Sequence, residues 1–286
     1  MIQTCSQINK IFSLAVILLS VILTISSCSS GFIYNQLDWL ILRYLDDYVD
    51  LNRRQQQQLK IDLPELLRWH RREELNEYDQ FLSSIQNDLK QPLSVALVEQ
   101  RLVQGEDAYQ RIKAQLSPLL MGLVSSLTEK QVDEFARNLA KQQQKLEKKY
   151  LQRNDKKFHS DSYKSFLGNT EGWMGKLNEA QRKQLWEATQ KIKRIDEPWL
   201  QQRQLMVSNI VNTLREKDPG WLQKLEAYSL PGNQLGSKDY QLKMAHNKLL
   251  ITKTLVDIIN YRDESQDRHL QRELQRWKKR LGALQK

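Results

Sequence analysis

The sequence predicts an all-α protein, a multi-helix antiparallel bundle or an elongated helical stack, preceded by a cleaved lipoprotein signal peptide. Three observations predict this. Turn-forming residues are scarce, with 10 Gly and 6 Pro in 286 residues, which starves a β-barrel or sandwich of its turns. Apolar side chains recur at spacings of three and four along most of the chain. The amino end carries one cation, an apolar run and then a cysteine. With 40% hydrophobic and 27% charged residues, the composition excludes both a disordered tail and a protein of many membrane spans.

The leader comes first. Lys10 precedes an apolar run from Ile11 to Ile25 that is shorter than the roughly 20 residues needed to span a bilayer. It ends in Ile25-Ser26-Ser27-Cys28, which resembles a bacterial lipobox. Small residues before Cys28 let an extended backbone enter a signal protease, and the thiol is free to take a diacylglycerol through a thioether. Residues 1–27 are then the signal peptide, cut between Ser27 and Cys28, and residues 28–31 form a short tether. Cys28 carries the covalent diacylglycerol and an N-acyl chain, and no other cofactor is expected. Ser29 in place of Asp resembles lipoproteins sorted to the outer membrane, with the body facing the periplasm. The alternative is the periplasmic face of the inner membrane. Cys5 leaves with the leader, so no disulfide or thiolate site remains in the mature chain.

The body, residues 32–286, reads as helices throughout, and a break near 160–176 would divide it into two subdomains. Phe32 to Val49 is dense in apolar residues but carries Asp38, Asp46, Asp47 and Asp50 against Arg43, the wrong sign for a lipid-lying helix, and so reads as core. Asp62-Leu63-Pro64 is a helix start signal, with Asp62 as N-cap. Leu67, Glu74, Tyr78, Phe81, Ile85 and Leu89 then share a stripe. Pro92 ends that helix, Ser94 opens the next along Val98, Leu102, Tyr109, Ile112 and Leu116, and Ser117-Pro118 should kink or stop it. Leu185, Thr189 and Ile192 share a face. Leu242, Ala245, Leu249, Thr252, Val256 and Ile259 form a seam, and a charged helix runs from about Glu264 to near Gly282.

One element recurs. Leu51-Asn52-Arg53-Arg54-Gln55, Leu127-Thr128-Glu129-Lys130-Gln131 and Leu177-Asn178-Glu179-Ala180-Gln181 each fit a capping box, in which Asn or Thr accepts from the N–H three residues on and Gln reaches back. Their unequal spacing is not a solenoid period. The pattern also resembles a signature of small periplasmic helical chaperones.

Tyr34 to Leu40, Arg43 to Leu51 and Trp69-His70-Arg71-Arg72-Glu73-Glu74-Leu75 resemble an uncharacterised lipoprotein family of Gram-negative bacteria, catalogued as domain of unknown function 6279. Leu127 to Tyr150 and Glu171 to Leu177 extend the resemblance. It implies a lipidated, all-helical body and brings no known activity, cofactor or catalytic residues.

Tests for chemistry find little. The sequence has no Gly-x-Ser-x-Gly, no phosphate-cradling Gly-rich loop and no His-Glu-x-x-His. His70, with Glu73 and Glu74 at helical reach, lacks the paired Glu-x-x-His elements of a di-iron bundle and reads as an ion-paired surface with Arg71 and Arg72. Glu264-Ser265 resembles the Glu-Ser pair of helical lytic transglycosylases, but Gln266-Asp267-Arg268-His269 does not continue that motif. No catalytic or metal-binding set is expected.

Basic segments remain. Residues 137–157 hold eight Lys or Arg against two carboxylates, and residues 268–280 form a second basic stretch. Lys141, Lys145, Lys148, Lys149 and Arg153, with Trp69, His70, Arg71 and Arg72, are the candidate partner-binding residues. A periplasmic body meets anionic lipid, lipopolysaccharide phosphates and acidic proteins rather than nucleic acid. The leading expectation is a non-enzymatic lipid-anchored envelope protein that binds a protein or anionic envelope partner. A chaperone-like holdase and a peptidoglycan-active or other envelope hydrolase are the alternatives.

Overall fold

The computed structural model describes Tyr34, residues 36–228 and residues 236–285. The signal peptide, Cys28 and the tether lie outside the described residues. All regular structure among the described residues is helical. In chain order the helices are α1 (Leu37–Asp46), α2 (Arg53–Trp69), a π-helical turn (His70–Glu74), α3 (Leu75–Asp88), α4 (Val95–Ser125) and α5 (Glu129–Leu151). They continue with α6 (Asp155–Met174), α7 (Glu179–Gln190), α8 (Asp196–Glu216), α9 (Trp221–Tyr228), α10 (Lys238–Asn260) and α11 (Glu264–Leu284).

Most elements follow the sequence pattern, and three depart from it. Asp62-Leu63-Pro64 starts no helix: α2 runs through Pro64 from a capping box at Asn52, and Leu59 and Leu63 are buried on its inner face. Packing of that face outweighs the one backbone hydrogen bond Pro64 cannot donate. Pro118 likewise sits inside α4, which continues to Ser125 on buried Ile112 and Leu116. The first half of the α10 seam turns outward. Leu242, Ala245 and Leu249 face solvent, whereas Thr252 and Val256 are buried and Ile259 packs on a core cluster as the spacing predicts, alongside buried Tyr240, Asn247, Ile251, Thr254 and Ile258. In the outward half the inner residue is Asn247, whose amide accepts from Lys193 N at 2.8 Å and donates to Lys193 O at 2.7 Å, fixing which side of α10 is inside.

The described residues form two compact units, and the chain passes between them five times. The first takes the described part of Met1–Arg71, with Ala108–Gln152 and Asp196–Ser237; the second takes Arg72–Asp107, Arg153–Ile195 and Lys238–Lys286. Residues 160–176 thus lie within the second unit. In the first unit α1 packs on α2 and α8 on α5; in the second α6 packs on α7, α7 on α10, and α3 on α11. Leu89, Leu270 and Leu274 centre one core cluster of the second unit, with Leu82, Ile85, Leu93, Trp173 and Ile259 around them.

This connectivity has an internal order. The half of the chain from α1 to α5 sends α3 into the second unit, against α11. The half from α6 to α11 sends α8 into the first, against α5. In both units the helix received from the other half of the chain lies along the last long helix of the unit's own half.

Candidate functional site: basic helices set by paired glutamines

The three boxes read from the sequence form as capping boxes. Asn52 accepts from Gln55 N at 3.0 Å while Gln55 Oε1 accepts from Asn52 N at 2.9 Å. Thr128 with Gln131 and Asn178 with Gln181 repeat this geometry. A fourth box, Asp263 with Gln266, starts α11. It was hidden behind the Glu264-Ser265 pair and behind Arg262, which stands where the other three boxes have Leu.

The boxes come in two pairs, one per unit, and each pair buries its glutamines against each other. Gln55 and Gln131 exchange hydrogen bonds of 3.1 and 2.7 Å, and Gln131 Nε2 also donates to Asp50 O at 2.7 Å. Gln181 and Gln266 exchange bonds of 3.0 and 2.8 Å, and Gln266 Nε2 donates to Lys176 O at 3.0 Å. One oxygen and one NH₂ per amide thus satisfy a helix start, a partner glutamine and a loop carbonyl together. Leu51, Leu127 and Leu177 are buried beside these pairs, so the motif supplies no exposed apolar cradle.

The paired glutamines fix the start and rotation of α5 and α11. Counted from Gln131 and Gln266, the two helices match at Glu129/Glu264, Arg137/Arg272, Leu139/Leu274 and Leu146/Leu281, with Lys141/Arg276 and Lys145/Arg280 conservative. Leu139 and Leu274 are buried, whereas Arg137, Arg272, Lys141 and Arg276 are exposed.

On α5, Arg137, Lys141, Lys145 and Lys148 lie at steps of four, four and three residues and all face solvent. Successive members at steps of four are about 6 Å apart along the axis. The neighbouring carboxylates are engaged elsewhere. Asp133 pairs with Arg215 at 2.7 Å, Glu134 accepts from Asp50 N at 3.1 Å, and Glu147 accepts from Gln143 at 2.8 Å. Gln143 in turn accepts from the buried guanidinium of Arg203 on α8 and donates to Leu200 O, so Glu147 is drawn toward the interior and away from the lysines. Burial pulls Arg203 below the ordinary arginine range. Lys149 lies 5.2 Å over the Tyr150 ring, leaving the stripe proper to the other four cations.

Other candidates fall differently. Arg153 is not a free surface cation: it pairs with Asp161 at 3.6 Å and covers the Phe158 ring. His70 is no surface residue either. It is fully buried in the π turn, where Tyr34 Oη and its Nδ1 are 2.8 Å apart, and Arg71 lies 5.1 Å over the Tyr34 ring. His70 extends the buried row of Leu59, Leu63 and Leu66 at steps of four, three and four, and Glu74 and Leu75 follow it inward across the π turn; the flanking Arg71, Arg72 and Glu73 disguise that row as a charged surface. Burial holds His70 down at about 4. Trp69 meets the His70 ring edge-on, and Arg72 is exposed beside Glu73. Among the described residues, no three His, Cys, Asp or Glu side chains are grouped to hold a metal ion.

A family model described as "Family of unknown function (DUF6279)" matches residues 47–241, a span that includes three of the four boxes and all of α5. No curated protein and no solved structure matches the chain.

Proposed function

From the premise that the chain belongs to the DUF6279 family, whose function is unknown, we propose that it is a non-enzymatic, lipid-anchored envelope protein that binds an anionic envelope partner through α5. The proposal places acylated Cys28 in the outer membrane and the helical body in the periplasm. None of the described helices is long and apolar enough to cross a membrane. The observation that carries the proposal is the row of four exposed cations on α5, whose nearby carboxylates are all committed to other partners. Four like charges on one face repel one another, and an external anion relieves that repulsion.

The test separates tether from stripe. Cys28→Ala should leave the protein unlipidated and releasable without detergent; retention in washed membranes at high salt would contradict the tether. The released chain should rebind isolated envelopes at low salt. Charge reversal at Lys141, Lys145 and Lys148 should remove that rebinding while leaving helicity intact, and unchanged rebinding would discard the stripe.

A further inference from the structure

We propose that α11 carries a second copy of the anion-binding face of α5, and that both faces bind the phosphate headgroups of an anionic lipid surface. The inference rests on the reading of α5 given above and deepens it by naming the partner.

The argument begins with position. Six, ten and fourteen residues beyond its buried glutamine, α5 has Arg137, Lys141 and Lys145, and α11 has Arg272, Arg276 and Arg280. Core packing explains the leucine matches between the two helices, because Leu139, Leu274 and Leu281 are buried and Leu146 is partly so. It does not explain the cations at the first two positions, which face solvent in both helices. Several other exposed positions of α5 have not kept their character: Asp133 corresponds to Arg268, Lys148 to Ala283 and Ala140 to Gln275. Two cations retained at solvent-facing positions, with a third in register behind them, while several neighbours change, point to something outside the chain.

Geometry and charge then select the partner. Cations at steps of four residues form a straight row with members about 6 Å apart, matched by closely spaced anions on a surface rather than by one small anion in a pocket. The net charge of +10, or +9 once the leader leaves with Lys10, adds a long-range attraction toward such a surface. A chain held by its lipid at Cys28 would meet membrane phosphates before any other anion.

The α11 face is partly masked. Glu273 pairs with Arg276, and Arg280 covers the Trp277 ring at 5.0 Å, while Arg272 and Lys279 are exposed. On α5 the residue corresponding to Glu273 is Asn138, whose amide donates to Tyr48 O, so the equivalent Lys141 has no such counter-charge. Glu273 therefore sets α11 as the weaker face.

The experiment uses the unlipidated Cys28→Ala chain and sucrose-loaded vesicles of phosphatidylcholine alone or with phosphatidylglycerol. Binding should require phosphatidylglycerol and fall with salt. Each cation near an anionic membrane contributes about a five-fold gain in partitioning, so reversing the α5 triad should lower it about five-fold, reversing the α11 triad should lower it less, and reversing both should abolish it. Glu273→Gln, by freeing Arg276, should raise the partitioning of the α5-reversed chain about five-fold. If reversal of α5 removes binding while α11 reversal and Glu273→Gln change nothing, the second face is overturned and the α5 reading stands. If the chain ignores phosphatidylglycerol vesicles yet still rebinds isolated envelopes through α5, the lipid partner is overturned. Loss of both kinds of binding to native α5 overturns the inference and the reading beneath it.

Discussion

Replacing Gln131 by Met tests the paired glutamines most sharply. Methionine has nearly the same length and fills the same space, so packing is preserved while the amide is removed. The Gln131 side chain accepts from Thr128 N and Gln55 Nε2, both at 3.1 Å, and donates to Asp50 O and Gln55 Oε1, both at 2.7 Å. These four bonds vanish, with a longer fifth that Gln131 Oε1 accepts from Thr128 Oγ1 at 3.3 Å. Gln55 keeps Ser126 O at 2.9 Å and Asn52 N at 2.9 Å, so its own amide remains partnered and the main cost falls on Asp50 O and Thr128 N. At about 1 kcal/mol net per neutral hydrogen bond, with some sharing among them, the change should cost about 2–4 kcal/mol. Gln55→Met/Gln131→Met should cost less than the sum of the single changes, with a coupling of about 1–2 kcal/mol from the two bonds the residues exchange. Urea unfolding of the Cys28→Ala chain, followed by far-ultraviolet circular dichroism, measures both. A loss below about 0.5 kcal/mol, or strict additivity, would refute the reasoning.

Three further outcomes are expected. Gln266→Met should cost about as much as Gln131→Met, and hydrogen exchange should place the loss in the second unit; a neutral change there would deny the equivalence of the two pairs. His70 is neutral in the fold and its value is depressed to about 4, so its contribution is complete above the unfolded value of 6.5 and is lost as pH falls toward 4. About 3 kcal/mol should be lost over that window, and His70→Gln should flatten that part of the stability profile. Identical profiles for the two proteins would mean that His70 is solvated. Leu249→Ser on the outer side of α10 should change stability by no more than about 0.5 kcal/mol, whereas Leu139→Ala in the core should cost about 2–5 kcal/mol; the reverse order would restore the seam expected from spacing.

Much of the fold was legible because helices announce their starts locally. The boxes at Asn52, Thr128 and Asn178 are readable from five consecutive residues, and each forms as the pattern requires. The fourth was missed because Arg262 breaks the Leu-first pattern: its guanidinium bonds Leu89 O at 2.7 Å and Asp267 at 2.6 Å. Pairing of the boxes was not legible at all, since Gln55 and Gln131 are 76 residues apart and Gln181 and Gln266 are 85 apart. The inward side of His70 follows the row of Leu59, Leu63 and Leu66 but was masked by the charges around it, and the outward turn of the first half of α10 accompanies Asn247 binding a loop 54 residues away, which leaves no periodic trace. The basic character of α5 could be read directly. That its carboxylates are occupied, and that the glutamine pairs set the register in which α11 repeats its cations, required the structure.

Lysine acetylation footprinting tests the account most directly. A membrane-permeant acetylating reagent is applied to intact cells and, separately, to the purified Cys28→Ala chain, and each lysine is quantified by mass spectrometry. Lys141, Lys145 and Lys148 should be several-fold less reactive in cells than in the purified chain, while the equally exposed Lys183 and Lys253 should not change. Equal reactivity of the three α5 lysines in both settings would contradict the claim that this helix meets an anionic partner in the envelope.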